Sequence, residues 1–449
     1  MQSPHSPDGE MMTRKVVIIT NVVFERYGNQ SVRNFIEGLL LHGCEVVFIT
    51  AHPGEDEQMK TFMKQHRNFT VNYLRKSQSK PSIVTTYSWQ DRLGRHLRDL
   101  VKRIFTYRRY SSNSGVLQWL SLLNTLTTLR LLVNHFRNHR ECLSGCDRYI
   151  FIDVFGGLSA HYLRLAYPSF WAEIAPRSVG YYLGTVLKQF KGRKTFAFIV
   201  MPLSFIGSYK VLHDKLIVTD DGTDGENVFR SMLGYRKPIL FIRNGIDNRL
   251  ASFEPPSRAR QDDTFRFVTC SRLTSWKRVD RAIRFVYHVK ALTSKDIHLT
   301  IIGEGEEQSS LKALVCSLDL SDTVTFAGPL EYQVALQRIA ENDFYIVFND
   351  LSNMGNQIHE SIVLGLIPLT IDDGSTDSLL RNGIDSLKFP MTDNFEADAA
   401  RVFVAEMTDG DWHAFHQNLM IARQHVLTWR QRNQFEYEFI FGACPDEVR

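Results

Sequence analysis

Short consecutive apolar runs recur along this chain, separated by stretches in which apolar residues return every three or four positions. The first run, 15–20 (KVVIIT), is apolar on both faces and predicts a buried parallel strand. From Ser31 the spacing turns helical: Val32, Phe35, Ile36, Leu39 and Leu40 share one face, and Gly43 ends it. The run 44–50 (CEVVFIT) then returns to strand. Further strands are expected at 148–154, 195–201, 215–219, 238–243, 265–270, 297–303, 323–328, 344–348 and 367–371, and helices at 116–136, 311–318 and 412–441. Strand 148–154 is expected to end at Gly156-Gly157. Strands alternating with helices predict an α/β protein with doubly wound, mostly parallel sheets.

Pro255, Pro256 and the polar run 257–263 interrupt the pattern midway and read as a linker. The length of 449 residues fits two or three domains. We expect a disordered tail at 1–13, a first domain over 14–255 with a helical insertion near 76–146, a linker at 256–263 and a second domain over 264–425. The apolar share of 43% and charged share of 23% are those of an ordinary soluble globular chain. A net charge of +4 is too small to imply nucleic acid as a partner. No apolar run reaches the roughly 18 residues of a membrane span, and the first residues lack the apolar core of a signal peptide. Cys44, Cys142, Cys146, Cys270, Cys316 and Cys444 lack zinc-ligand spacing, so free thiols in a reducing cytosol are expected.

The segment 90–110 has Leu93, Leu97, Leu100, Val101 and Ile104 on one helical face and Arg92, Arg95, Arg98, Lys102 and Arg103 largely opposite. Such a helix either lies on an anionic membrane surface or packs on the domain with a solvated charged face. At the end of 148–154, Asp153 and His161 are candidates for an acceptor side, since loops at the carboxyl ends of parallel strands face ligands. His161 equally suits a packed helix residue. Asp220, Asp221, Asp224 and Glu226 form an acidic loop; a metal or a solvated loop accounts for it, and we assign no metal.

The stretch 343–382 is the most informative. An apolar strand leads into Ser352-Asn353-Met354-Gly355-Asn356, then a helical pattern, then a second strand at 367–371. A loop entering a helix presents unpaired N–H groups at the positive end of its dipole, which suits a phosphate. Glu360 in that helix is placed to reach a ribose hydroxyl pair.

This segment resembles the donor-binding part of the retaining glycosyltransferases of family 4, which have the GT-B fold of two facing Rossmann-like domains. Glu360 matches the second of that family's two glutamates, and Gly365, Ile367 and Pro368 follow as in the family. Ser352 stands where the first glutamate is found, in an Asn-Gly-Asn version of the loop used by some branches. Residues 271–280 resemble the family's "GRL..KG.D" motif, with Ser271 and Arg278 in place of its glycines. The resemblance implies that Arg272 and Lys277 hold the donor diphosphate and stabilise the charge of the leaving group. Gly303 opens a "GEG" turn with Glu304 and Gly305, Gly328 ends the next strand, and Asn244-Gly245-Ile246-Asp247 resembles the family's "NGVD" turn. Gly28 corresponds to a donor-facing loop glycine, or to a plain tight turn. Donor contacts are thus expected from Gly28, Gly303, Gly328, Asn353, Gly355, Asn356 and Glu360. The C-terminal segment 426–449 is expected to cross back to the first domain, as in GT-B proteins.

The resemblance implies glycosyl transfer with retention from a nucleotide sugar to a glycan or lipid-linked acceptor, with no metal or other cofactor. A cytoplasmic place, peripheral on the inner face of a membrane if 90–110 binds lipid, goes with it. Two alternatives stay open. Loss of the first glutamate to Ser352 suits a non-catalytic binding or scaffolding subunit. A GT-B nucleotide-sugar epimerase would need carboxylates and histidines in the cleft, where the second half offers only His298 and His359.

Overall fold

The computed structural model describes residues 13–21, 30–50, 57–74, 122–184, 212–255, 263–409 and 412–442. Gly28, the basic segment 90–110 and the expected strand 195–201 lie outside these residues.

The chain forms two all-parallel sheets. The first has seven strands in the order β3-β2-β1-β4-β5-β6-β7: Lys15–Thr20 (β1), Glu45–Thr50 (β2), Phe69–Tyr73 (β3), Arg148–Ile152 (β4), Ser178–Tyr182 (β5), Lys215–Asp220 (β6) and Ile239–Arg243 (β7). The second has six in the order β10-β9-β8-β11-β12-β13: Thr264–Cys270 (β8), Asp296–Ile302 (β9), Val324–Gly328 (β10), Phe344–Val347 (β11), Ile367–Ile371 (β12) and Leu387–Phe389 (β13). In each sheet the order reverses once, between β1 and β4 and between β8 and β11. At such a switch point the crossovers leave to opposite faces and a crevice opens beyond the strand ends. The strands read as continuous apolar runs because helices cover both faces; β12 is buried at every position. Phenylalanines fill the second core, with Phe344 edge-on to Phe403 at 4.8 Å and Phe267 stacked on Phe344 at 5.2 Å.

Several elements differ from the sequence expectation. Strands β3, β5 and β13 and the helices Tyr332–Ala340 and Phe395–Asp409 were not anticipated. Gly156 and Gly157 do not end a strand. The helix Asp153–Ala166 starts at the strand tip and takes both glycines inside it, where a Cβ on Gly156 would lie 2.4 Å from the Phe151 carbonyl carbon. The expected helix 412–441 is two, Trp412–Arg423 and Trp429–Phe441.

The last of these helices returns to the first sheet. Phe439 and Ile440 join the apolar cluster of β1, β2, β4 and β6. The Arg432 guanidinium, fully buried, donates to Glu436 at 2.9 Å, Tyr181 at 2.9 Å, Thr219 at 3.0 Å and Asn244 at 2.5 Å. A buried cation is tolerable only with its donors satisfied in this way.

Candidate functional site

The carboxyl ends of the two sheets are bonded to each other. From the first, Asp221 after β6 accepts a hydrogen bond from Ser352 Oγ at 3.1 Å on Oδ2, and its carbonyl accepts one from Met354 N at 3.3 Å. Asn244 Nδ2 after β7 donates to Asn356 Oδ1 at 2.8 Å, and Asn356 Nδ2 to Gln30 Oε1 at 3.4 Å. Ser378 Oγ donates to Asp220 Oδ2 at 3.2 Å. The loop before the helix Asn356–Val363 is therefore held by both sheets.

On the second sheet the loop after β8 is fixed by its neighbour. Ser271 N donates to Ile302 O at 3.0 Å and Leu273 N to Glu304 O at 2.8 Å. Gly303, with φ +124°, donates its N–H to the Gly328 carbonyl at 2.8 Å, and a Cβ there would lie 2.0 Å from the Ser271 carbonyl oxygen. Gly303 and Gly328 thus shape the floor beneath 271–277; any side chain at 303 would push that loop away. A single turn at Ser275–Lys277 then leads through Arg278 into the helix Val279–Leu292. Arg278 adopts the left-handed conformation, φ 48°, where the motif has glycine. Its guanidinium offsets that strain by gripping Asp280 at 2.9 and 3.0 Å and Asp350 at 3.3 Å.

Lys277 is half-buried, and among the described residues no carboxylate or carbonyl bonds its ammonium; the ammonium lies 4.2 Å from the Trp276 ring centroid. Burial and then the Arg272 charge pull it down to about 8, while Asp221 opposes them from the other domain. Arg272 is exposed at the loop tip. Two neighbouring cations with no bonded anion among the described residues are a donor set suited to an anion.

Glu360 lies in the helix Asn356–Val363, half-buried, with Tyr332 Oη donating to Oε1 at 3.1 Å. Burial pushes its carboxyl up to about 7, the Tyr332 bond works against that, and Asp247 adds to it. Cys270 joins the two halves of the site. Its carbonyl accepts from Gln357 Nε2 at 3.4 Å, and its thiol, raised to about 12 chiefly by burial, also feels the charges of Glu360 and Lys277.

Not every expected residue reaches this site. The Asn353 side chain is fully buried and occupied by Asn349, accepting its N–H at 3.0 Å and donating to its carbonyl at 3.3 Å, so it closes the loop and does not face a donor. Gly355 caps the helix Asn356–Val363. Asp153 is at the strand tip, in a left-handed conformation with φ 55°, and accepts from Leu183 N at 3.0 Å. Burial raises its carboxyl to about 6, and the Asp221 charge adds to the rise. His161 does not accompany it. The helix runs back from the strand tip, so eight positions carry His161 roughly 12 Å away. There its charge acts on His213, which precedes β6 at the opposite end of the sheet. Asp221 is the site residue that sequence reasoning left as part of a solvated loop. Its adjacency to Asp220 at a strand end was the available signal.

The arrangement of two parallel sheets meeting at their carboxyl ends has counterparts among solved structures. Sucrose-phosphate synthase from Thermosynechococcus elongatus superposes with a TM-score of 0.64 at 15% identity, covering 96% of this chain and 100% of that one. Anabaena HepE in complex with UDP and glucose gives 0.61 at 15% identity, covering 96% and 100%. WaaG, a glycosyltransferase involved in lipopolysaccharide biosynthesis, gives 0.59 at 12% identity, covering 95% and 100%. The chain has the GT-B glycosyltransferase fold. Residues 252–402, which hold Arg272, Lys277, Gly303, Gly328 and Glu360, match the family described as Glycosyl transferases group 1. A sequence comparison with curated proteins finds no match. In GT-B terms the loop 271–277 and the helix Asn356–Val363 form one wall of the interdomain cleft, and the tips of β4, β5 and β6 form the other.

Proposed function

We propose that this protein transfers a glycosyl unit, with retention of anomeric configuration, from a nucleotide sugar to a lipid-linked or polysaccharide acceptor. The observation that carries the reading is the pair Arg272 and Lys277, with no bonded anion among the described residues, on the same sheet end as the half-buried carboxyl of Glu360. A nucleoside diphosphate offers the diphosphate that the cations lack and the ribose hydroxyls that the carboxylate would accept.

In this reading the anomeric carbon–oxygen bond to the diphosphate breaks and a bond to the acceptor oxygen forms on the same face. The acceptor proton passes to the departing phosphate oxygen, so no protein nucleophile is required. Arg272 and Lys277 stabilise the growing phosphate charge in a site already organised for it, and the proposal assigns that task to them and not to a metal. Anabaena HepE, bound to UDP and glucose, and WaaG, of lipopolysaccharide biosynthesis, share the fold and lend support at that level. The epimerase alternative is less well supported, because His359 is fully buried and His298 is exposed on β9.

Transfer of label from a panel of radiolabelled UDP-, GDP-, ADP- and dTDP-sugars to a membrane or polysaccharide extract tests the proposal, with the product linkage read by NMR. A retained anomeric configuration is expected. An inverted product, or no transfer from any donor that binds, contradicts it.

A further inference from the structure

We propose that Asp221 is a donor-sugar contact and sets sugar specificity. Its carboxylate, delivered from the first domain to the donor loop of the second, accepts a hydrogen bond from a hydroxyl of the transferred sugar ring. The inference rests on the donor-site reading above and deepens it.

The two oxygens of this carboxylate are unequally used. Oδ1 accepts from Thr223 N at 3.1 Å and Thr223 Oγ1 at 2.5 Å, which fills both lone-pair directions. Among the described residues Oδ2 accepts from Ser352 Oγ alone, at 3.1 Å. Gly184, after β5, packs directly on this carboxylate: a Cβ there would be 2.4 Å from Oδ2, and its φ of +154° is one that L side chains rarely adopt, so the site requires glycine to seat Asp221. Ser352 is itself left-handed, φ 61°, which turns its hydroxyl toward the other domain.

A second observation points to the same place. Among the described residues the Lys277 ammonium is bonded to no acceptor, yet the Asp221 charge reaches it across the cleft. The bond from Ser352 sets the Asp221 carboxylate on the donor loop itself, where a group carried by a diphosphate on Lys277 would meet Oδ2. In a nucleotide sugar that group is the sugar. Asp221 also carries a charge-bearing group to Ser352, a position where the second domain offers only a hydroxyl of its own. The sugar would thus be held by both domains, while the nucleotide is held by one.

Calorimetric titration of the full chain with UDP, GDP, ADP and dTDP and with a sugar nucleotide of each tests this, for wild type, Asp221→Asn and Ser352→Ala. For the base that binds, the expected result is that Asp221→Asn keeps nucleoside diphosphate affinity within a factor of about two, which also reports an intact fold. Its affinity for the nucleotide sugar should fall about tenfold or more, the loss that accompanies a charge-assisted hydrogen bond. Ser352→Ala should weaken the sugar nucleotide selectively too, by a smaller factor. If the wild-type chain binds none of these, the donor-site reading falls and this inference with it. If Asp221→Asn binds diphosphate and sugar nucleotide with the wild-type ratio, the donor site stands and the role of Asp221 is overturned.

Discussion

Burial places the Glu360 carboxyl at about 7 and the Lys277 ammonium at about 8, so the proposed donor site should bind in a pH-dependent way. In that proposal the carboxylate form of Glu360 accepts the ribose hydroxyls, and below its value each unit of pH should cost about a factor of ten in affinity. The ammonium form of Lys277 would hold the diphosphate, so above its value affinity should fall again. A nucleotide sugar, whose phosphodiesters do not titrate in this range, should bind best between those two values. Calorimetry across pH 5.5–9.5 would show the bell, and Glu360→Gln should flatten only the acid limb. A flat profile removes both residues from the site. Lys277→Ala and Arg272→Ala should each lower turnover by about 10²–10³, the cost of one preorganised electrostatic contact. Wild-type rates in both variants would mean that the diphosphate lies elsewhere. Glu360, Arg272 and Lys277 could be proposed from the sequence because each sits in a motif with near neighbours. Asp221 was not, because the hydroxyl that gives it meaning, on Ser352, is 131 positions away.

The helix Trp429–Phe441 makes the sharpest prediction among the elements. Its Arg432–Glu436 pair is buried and bonded at 2.9 Å. Arg432→Met leaves the Glu436 carboxyl without its cation and should destabilise the first domain by about 3–5 kcal/mol. Urea unfolding followed by tryptophan fluorescence measures it; a loss under about 1 kcal/mol would show that the helix is not part of that core. Gly303→Ala sets a side chain against the Ser271 carbonyl and should cost about 1–3 kcal/mol while also weakening donor binding, because the displaced loop carries Arg272 and Lys277. Long apolar strands such as β1, β2, β8 and β12 were readable because burial on both faces writes them as unbroken runs. Strand β5, SVGYY, was not: its Gly180 is required by packing, with a Cβ there lying 2.7 Å from the His213 ring and from Leu216. Strand β13 has only three residues, too few for any period to show.

At the scale of the molecule, two sheets with one order reversal each bring their carboxyl ends together, and Asp221, Arg272, Lys277 and Glu360 follow strands or helices at that junction. The sequence predicted parallel α/β sheets from the alternation of strands and helices, and two facing units from the linker and the resemblance to GT-B glycosyltransferases. It did not predict their closure, since the bonds Ser352–Asp221, Asn244–Asn356 and Ser378–Asp220 join distant segments. No helix among the described residues is long and apolar enough to cross a membrane. A lipid-linked acceptor would instead be met through the basic segment 90–110. Changing Arg95, Lys102 and Arg103 together to Ser should abolish salt-sensitive co-sedimentation with anionic vesicles and leave nucleotide binding unchanged; equal sedimentation of wild type and variant would assign the segment to a solvated face. The cleft is proposed to hold a nucleotide sugar on Arg272, Lys277 and Glu360. The most direct test of that proposal is the thermal melt of the wild-type chain and of Lys277→Ala with UDP-, GDP-, ADP- and dTDP-sugars. At about a hundred times its dissociation constant one of these should stabilise the wild type by about 2.7 kcal/mol, a shift of several degrees, and leave the variant nearly unmoved. A panel that shifts neither protein, or shifts both alike, would contradict it.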